Sequence, residues 1–317
     1  MIRKTKEQYL SEANMPAMLH FELTGKCNLK CKQCYNDSGK RKTLMTAESW
    51  KEFSKNVSDN LFSVTLSGGE PLLLGKDLFD IMDIFEERNV WINMISNGFL
   101  INREIAKNIS QHSIGWVEIS IDSPHEEYHD YLRGVQGSWR QAVLAASYLA
   151  SYNVPVVIGT CITPKSLNQL EEMVKLAQQI GVKGLTFTKI LVSGRAYFNQ
   201  EELVLTEEQT KTFIAKADEL KKNTKDIQIN YTTQSLRDAV NDTTNTANYQ
   251  IPIIRPDGKM RLSCFEPVII GDVLQEDISI LWERYKRIRS LARENHSVIS
   301  SAGINYVDEE ISYDKLL

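Results

Sequence analysis

The sequence lacks any hydrophobic segment of the length that membrane insertion or secretion requires. Nowhere do about 18 apolar residues run together, and residues 1–18 contain no apolar core of signal-peptide type. The formal net charge is −4, so the basic excess typical of non-specific nucleic-acid binding is missing as well. We therefore expect a cytoplasmic protein with neither a membrane nor a nucleic acid as its partner.

Cysteine is also scarce, with five residues in 317. Because a cytoplasmic compartment keeps thiols reduced, an odd and small number of cysteines favours metal binding or chemistry over a disulfide framework. Three of the five, Cys27, Cys31 and Cys34, fall within the single stretch TGKCNLKCKQCYND. The cysteines are therefore concentrated in one segment near the N-terminus.

Short apolar runs alternate with amphipathic segments from residue 19 onward, and the sequence shows no internal repeat. The runs predict six strands, at 19–23, 62–67, 90–96, 115–121, 154–162 and 184–190. The segments predict helices near 46–60, 77–88, 102–109, 139–152, 167–180 and 206–222. Such alternation is typical of an α/β fold with parallel strands.

The pattern changes after about residue 225. A Thr/Asn-rich stretch is followed by IPIIRPDGKMRLSCF, which predicts two short strands around an Asp-Gly turn, and then by a helix within ISILWERYKRIRSLAR. We therefore predict a domain at 1–225 and a smaller C-terminal α+β region at 226–317.

The three close cysteines are one ligand short of a structural zinc site. Such a site takes four ligands, and His20 lies before the motif on a predicted strand. A [4Fe–4S] cluster held by three thiolates fits this number, because one iron then stays open to another ligand.

At these residues the sequence resembles the radical S-adenosylmethionine (AdoMet) superfamily, which has a Cys-x3-Cys-x2-Cys loop after the first strand of a partial (β/α)6 TIM-like barrel. LSGGEPLL resembles the Gly-Gly-Glu-Pro motif of that family, and ISNG and ISIDS follow the third and fourth strands. One departure is Gln33, where an aromatic residue is frequent, and Tyr35 is the nearest aromatic substitute. The resemblance implies that AdoMet is bound by Tyr35, Gly68, Gly69, Glu70, Pro71, Ser96, Asn97, Ser120, Asp122 and Arg133.

The resemblance also implies a mechanism and an electron source. An electron from one [4Fe–4S] cluster cleaves AdoMet, and the resulting 5′-deoxyadenosyl radical removes hydrogen from a substrate. A low-potential donor such as flavodoxin or ferredoxin is expected as a partner.

The C-terminal region resembles the extension called SPASM or twitch, through the Pro-Asp-Gly turn, Cys264, Gly271-Asp272-Val273 and Trp282. A full SPASM region holds auxiliary clusters through many cysteines, and here Cys264 stands alone. We therefore expect no auxiliary cluster, with Cys27, Cys31 and Cys34 as the metal ligands.

Other cysteines and histidines keep more than one interpretation. Cys264 is either a small buried residue, a hydrogen-atom donor facing the substrate, or a point of substrate attachment or metal binding. Cys161 is expected to pack in the core. His125 and His129 are four residues apart, but without a third ligand a solvated or capping helix is the simpler interpretation.

Three functions remain open. The first is a radical AdoMet enzyme that cross-links, epimerises or dehydrogenates a ribosomally made peptide, with the help of a separate peptide-recognition protein. The second applies the same chemistry to a small metabolite such as a carbohydrate or nucleotide. The third is a non-catalytic iron–sulfur or zinc-binding protein, for which the GGEP motif would be a coincidence. The first is the leading hypothesis.

Overall fold

The computed structural model describes residues 15–232, 251–264, 268–294 and 311–312. The chain forms two compact units. The first unit contains the chain up to Lys26, the segment Gly39–Ile92 and the C-terminal region. The second unit contains Cys27–Ser38 and the chain from Asn93 through the strand Gln228–Thr232.

The six strands predicted from the apolar runs are confirmed, with ends that differ by one or two residues. They are β1 (Met18–Glu22), β2 (Ser63–Ser67), β3 (Trp91–Ser96), β4 (Ile114–Ser120), β5 (Val156–Ile162) and β6 (Gly184–Lys189). Five further strands follow: β7 (Gln228–Thr232), β8 (Ile253–Ile254), β9 (Lys259–Arg261), β10 (Val268–Asp272) and β11 (Ile311–Ser312).

Helices separate the first seven strands, as expected of an α/β fold. They are α1 (Ala47–Ser58), α2 (Lys76–Glu87), α3 (Arg103–Ile109), α4 (Glu126–Arg133), α5 (Ser138–Ser151), α6 (Leu170–Ile180), α7 (Arg195–Phe198), α8 (Gln200–Leu203) and α9 (Glu207–Asn223). In the C-terminal region lies α10 (Ile278–Glu294). No helix in the described ranges is both long enough and apolar enough to span a lipid bilayer.

The first unit combines parallel and antiparallel pairing. Strand β1 pairs in parallel with β2 and with β8. Strands β8 and β9 form the predicted hairpin around the Asp-Gly turn, and β10 pairs antiparallel with β9. The pairing of β8 with β1 carries the C-terminal hairpin alongside the strand that precedes the cysteine loop.

The second unit contains four consecutive parallel strands, β4 to β7. On β4 and β5 one face is fully buried, through Val117, Ile119, Val156 and Ile158. Strand β7 was not predicted, because its sequence QINYT is short and its alternate residues Gln228 and Asn230 are exposed. The domain boundary at residue 225 stays a prediction.

An aromatic cluster fills the core of the first unit. The rings of Phe21 and Trp50 lie 5.0 Å apart, and the rings of Phe53 and Phe85 lie 5.5 and 5.9 Å from that of Phe21. The Trp50 indole Nε1 donates a hydrogen bond of 2.9 Å to the carbonyl of Leu23. Helix α1 is thereby attached to the residues that lead into the cysteine loop.

Replacing Trp50 tests this attachment. Trp50→Ala should lower the free energy of unfolding by about 3–5 kcal/mol, because a fully buried ring is lost. Trp50→Phe retains an aromatic ring but leaves the Leu23 carbonyl unpaired, at a cost of about 1–3 kcal/mol. Urea denaturation measures both, with the exposed Phe198→Ala as the control. A Trp50→Phe variant as stable as the wild type would argue against the hydrogen bond.

Candidate active site around the cysteine loop

The three clustered cysteines lie on one loop of the second unit, residues 27–38. None of the three forms a disulfide, and Cys31 is buried while Cys27 and Cys34 are half-buried. The loop has no helix or strand of its own, so its shape depends on contacts with its surroundings.

Hydrogen-bond donors point at the outer two sulfurs. Cys27 Sγ accepts from the backbone N–H of Leu29 at 3.4 Å and from Asn97 Nδ2 at 3.8 Å. Cys34 Sγ accepts from the backbone N–H of Ser38 at 3.4 Å. Donors of this kind stabilise a thiolate, which is the ligand form of cysteine.

The middle sulfur faces a buried cation. Arg133 Nη1 lies 3.8 Å from Cys31 Sγ, and Arg133 Nε forms an ion pair of 2.6 Å with Asp122 Oδ2. Burial raises the pKa of the Cys31 thiol to about 11, while the positive charge of Arg133 opposes this shift. The guanidinium therefore favours the thiolate at the most buried of the three sulfurs.

Asp122 is fully buried and forms hydrogen bonds with three further groups. Its carboxylate accepts from Gln33 Nε2 at 2.5 Å and from the backbone N–H of Cys161 at 3.0 Å. The Asp122 N–H donates to His129 Nδ1 at 3.2 Å. Gln33, which departs from the family pattern, thus connects the cysteine loop to the carboxylate after β4.

The sequence predicts a solvated or capping helix at His129; a helix is present there, but His129 faces the protein interior. The residue is 1% exposed, and burial lowers its pKa to about 4. Its imidazole is therefore neutral at physiological pH, as required of the acceptor for the Asp122 N–H. His125 is instead exposed at the N-terminus of α4.

Arg195 also binds the cysteine loop, and the sequence did not indicate this residue. Its backbone N–H donates to the carbonyl of Cys34 at 2.9 Å, and its Nε donates to the carbonyl of Cys31 at 2.7 Å. Its Nη1 forms an ion pair of 2.8 Å with Asp37. Cys31 and Asp37 are 164 and 158 residues away along the chain, so no local pattern could have indicated them.

The GGEP motif lies in the first unit and forms backbone hydrogen bonds with the residues just before Cys27. The N–H of Gly69 donates to Thr24 O at 2.6 Å, and the N–H of Glu70 donates to Lys26 O at 2.9 Å. Gly68 has φ +143°, and a Cβ there would lie 2.7 Å from Thr24 O, so this contact requires glycine.

Glu70 and Pro71 begin a short 3₁₀ helix. The Glu70 carboxylate is fully buried and accepts from the Leu72 N–H at 3.3 Å. Pro71 occupies the first position of the helix, where the missing N–H costs nothing.

The remaining predicted site residues lie at strand ends and in loops of the two units. Ser96 Oγ accepts from the Gly98 N–H at 3.0 Å, and Asn97 Nδ2 donates to Asn28 Oδ1 at 2.9 Å. Ser120 ends β4, and Tyr35 is part of the cysteine loop; both are half-buried. Cys264 is half-buried after β9 in the first unit.

The cysteine loop fits an iron–sulfur cluster better than a single metal ion. In the described ranges, no three His, Cys, Asp or Glu side chains converge on one ion position. A cluster of four irons holds its thiolates farther apart than one ion does, and each of the three sulfurs already receives an N–H donor. Three cysteines with hydrogen-bonded sulfurs on a loop after a parallel strand define a class of redox cofactor-binding α/β domain.

Residues 21–177 match the family model described as the Radical SAM superfamily, so this part of the chain has the sequence of a radical SAM domain. Members of this superfamily bind a [4Fe–4S] cluster and AdoMet. The α/β fold with parallel strands is that of the partial barrel of the family. The SPASM resemblance of the C-terminal region remains a prediction.

Two curated relatives show which activities accompany similar sequences. The chain is 31% identical over 206 residues to the mycofactocin maturase MftC of Mycolicibacterium smegmatis, covering 64% of this chain and 52% of that protein. It is 26% identical over 191 residues to the AdoMet-dependent heme synthase of Methanosarcina barkeri, covering 59% of this chain and 54% of that protein. The chain spans about half the length of these relatives.

A solved structure agrees in fold over most of the chain. Streptococcus suis SuiB bound to its precursor peptide SuiA superimposes with a TM-score of 0.70 at 15% identity, covering 90% of this chain and 70% of SuiB. At this identity the likeness shows the fold alone.

The buried pair beside Cys31 gives a stability prediction. Arg133→Met should lower the free energy of unfolding by about 3–5 kcal/mol, because Asp122 would be left buried and uncompensated. Adding Asp122→Asn should restore part of that loss, since the unpaired charge disappears.

The control is Arg140→Met, which breaks the exposed Arg140–Glu126 pair and should cost less than about 1 kcal/mol. Guanidinium denaturation of the cluster-free protein measures all three variants. A loss at Arg133 no greater than at Arg140 would contradict the role given to the buried pair.

Proposed function

We propose that this chain is a radical AdoMet enzyme that acts on a ribosomally made peptide. The observation that carries the enzyme assignment is the set of N–H donors aimed at Cys27, Cys31 and Cys34. These donors suit thiolates that share a cluster, and an isolated structural thiol needs none of them.

The three cysteines would hold one [4Fe–4S] cluster, and the vacant iron would take AdoMet. When bound, the two groups would supply an electron and a 5′-deoxyadenosyl radical able to abstract hydrogen from the substrate. Proposed AdoMet contacts come from Tyr35, Gly68, Gly69, Glu70, Pro71, Ser96, Asn97, Ser120, Asp122 and Arg133.

The protein residues have separate tasks in this proposal. Gly68 and Gly69 let backbone approach the amino-acid end of AdoMet, and the Glu70 carboxylate complements its ammonium group. Asp122 and Arg133 hold each other and the Cys31 sulfur in place, so the cysteine loop keeps one geometry. An electron donor of the flavodoxin or ferredoxin type would supply the reducing equivalents.

A peptide substrate is supported by the comparisons. MftC is named as a maturase of mycofactocin, and SuiB is seen with a precursor peptide. The heme synthase among the relatives favours a second candidate, the same chemistry on a small metabolite. A separate recognition protein would present the peptide.

Exchange of single cysteines tests the cofactor assignment. Anaerobically reconstituted wild-type protein should contain about four irons per chain, as one [4Fe–4S] cluster requires, and should form 5′-deoxyadenosine from AdoMet and a low-potential reductant. Cys27→Ala, Cys31→Ala or Cys34→Ala should lose both properties, since the cluster loses a ligand.

Cys161→Ala is the matched control, because Cys161 is a reduced thiol outside the loop and its loss should leave iron and 5′-deoxyadenosine unchanged. Iron analysis and chromatography measure the two quantities. A loop variant that keeps its cluster would refute the ligand set, and iron well above one cluster per chain would refute the single centre. Co-expression with short peptides encoded beside the gene, followed by mass spectrometry, separates the peptide from the metabolite candidate.

Cys264 is the proposed hydrogen-atom donor if the product is an epimer. Its S–H bond would give a hydrogen atom to the substrate carbon radical and leave a thiyl radical, which one electron from the donor and one proton from solvent would return to the thiol. Cys264→Ala should therefore abolish the epimer while 5′-deoxyadenosine still forms. Deuterium incorporation from heavy water measures the product, and normal epimer from Cys264→Ala would exclude this role.

A further inference from the structure

Three neighbouring strands of the second unit present a polar face opposite their buried face. Along β4, β5 and β6, alternate residues belong to opposite faces of the sheet. In the observed register, Ser120 pairs with Gly159 and Gly159 pairs with Thr186. The face is half-buried at each position, whereas the intervening residues are fully buried. It includes Glu118, Ser120, Gly159, Cys161, Thr186 and Thr188, together with Val157 beside Glu118.

Glu118 is the carboxyl group of this face, and the proposed cofactor site does not use it. The residue is half-buried, and desolvation of its carboxyl group raises the pKa to about 7 in spite of the nearby charge of Arg133. Among the residues that the structure describes, none donates a hydrogen bond to the Glu118 carboxyl or pairs with it. A desolvated carboxyl without a partner destabilises a fold, so folding alone does not account for it.

Gly159 on the next strand makes room for this carboxyl group. A Cβ on Gly159 would lie 2.5 Å from Glu118 Oε1 and 2.6 Å from Glu118 Cδ. Glycine inside a strand weakens the strand, and it frequently marks a close approach of another group. Two locally unfavourable residues thus occur side by side, and the second one accommodates the first.

We propose that Glu118 is a substrate-binding residue whose carboxyl group accepts a hydrogen bond from an N–H group of the substrate, either a peptide amide or a protonated amine. The inference deepens the proposed function and rests on it. The charge of Arg133 acts on Glu118, and the charge of Glu118 acts on Cys161. The carboxyl group therefore lies within electrostatic reach of the Arg133–Asp122 pair beside the cysteine loop.

Glu118→Ala tests the binding role. With the peptide that the wild-type enzyme modifies in co-expression, this variant should lower kcat/KM at least tenfold, because the acceptor is gone. Formation of 5′-deoxyadenosine without peptide should stay within twofold of the wild-type rate. Unchanged kcat/KM would overturn the inference.

Glu118→Gln distinguishes the two donors, because its carbonyl oxygen still accepts a hydrogen bond but carries no charge. If the donor is an amide, Glu118→Gln should recover most of the activity lost in Glu118→Ala. If the donor is an ammonium group, the glutamine variant should lose as much activity as the alanine variant.

Gly159→Ala displaces the carboxyl group without changing its chemistry. The added methyl group should lower kcat/KM several-fold in the presence of Glu118. It should have little further effect in Glu118→Ala, because the group that it displaces is absent. Additive effects of the two changes would overturn the inference.

Two measurements exclude a purely structural effect. The unfolding midpoint of Glu118→Ala should equal or exceed that of the wild type, since a desolvated carboxyl is removed; a marked fall together with lost activity would overturn the binding role. The exposed Glu104→Ala should leave kcat/KM unchanged. A wild-type enzyme that cleaves AdoMet but modifies no peptide would refute the proposed substrate before Glu118 is compared.

Discussion

A guanidinium that is buried between one carboxylate and one thiol sets the geometry of the cysteine loop. Arg133 cannot lose its charge, and removing it from water is costly unless Asp122 compensates it. The same cation lies 3.8 Å from Cys31 Sγ. The loop has no regular structure of its own, so this buried charge and the contacts of Arg195 determine where the sulfurs lie.

The neighbouring polar groups follow from that constraint. Asp122 carries a negative charge in a fully buried position, and one cation does not occupy all of its acceptor sites. Gln33 and the Cys161 N–H occupy two further sites, while a neutral His129 receives the Asp122 N–H. The network holds β4, α4, β5 and the cysteine loop in one arrangement, and its cost in desolvation is offset by these hydrogen bonds.

The predictable part of the fold is the part with strong periodic signals. Strands β1 to β6 are apolar runs between amphipathic segments, and their bounds agree with the prediction within two residues. Strand β7 was missed for a physical reason. QINYT is mostly polar because that strand is partly exposed. Local sequence carries little information about elements that are stabilised mainly by tertiary contacts.

The sequence by itself determined the cysteine spacing, the GGEP motif and the order of strands and helices, because each depends on residues that are close along the chain. Tertiary structure alone decided which groups stabilise the sulfurs. Arg195 contacts Cys31, which is 164 residues away along the chain. The Glu118 side chain occupies the space where a Gly159 side chain would lie, and it does so only because β4 and β5 pair in one register. Charge compensation and close approach depend on distance in space, which spacing along a chain does not report.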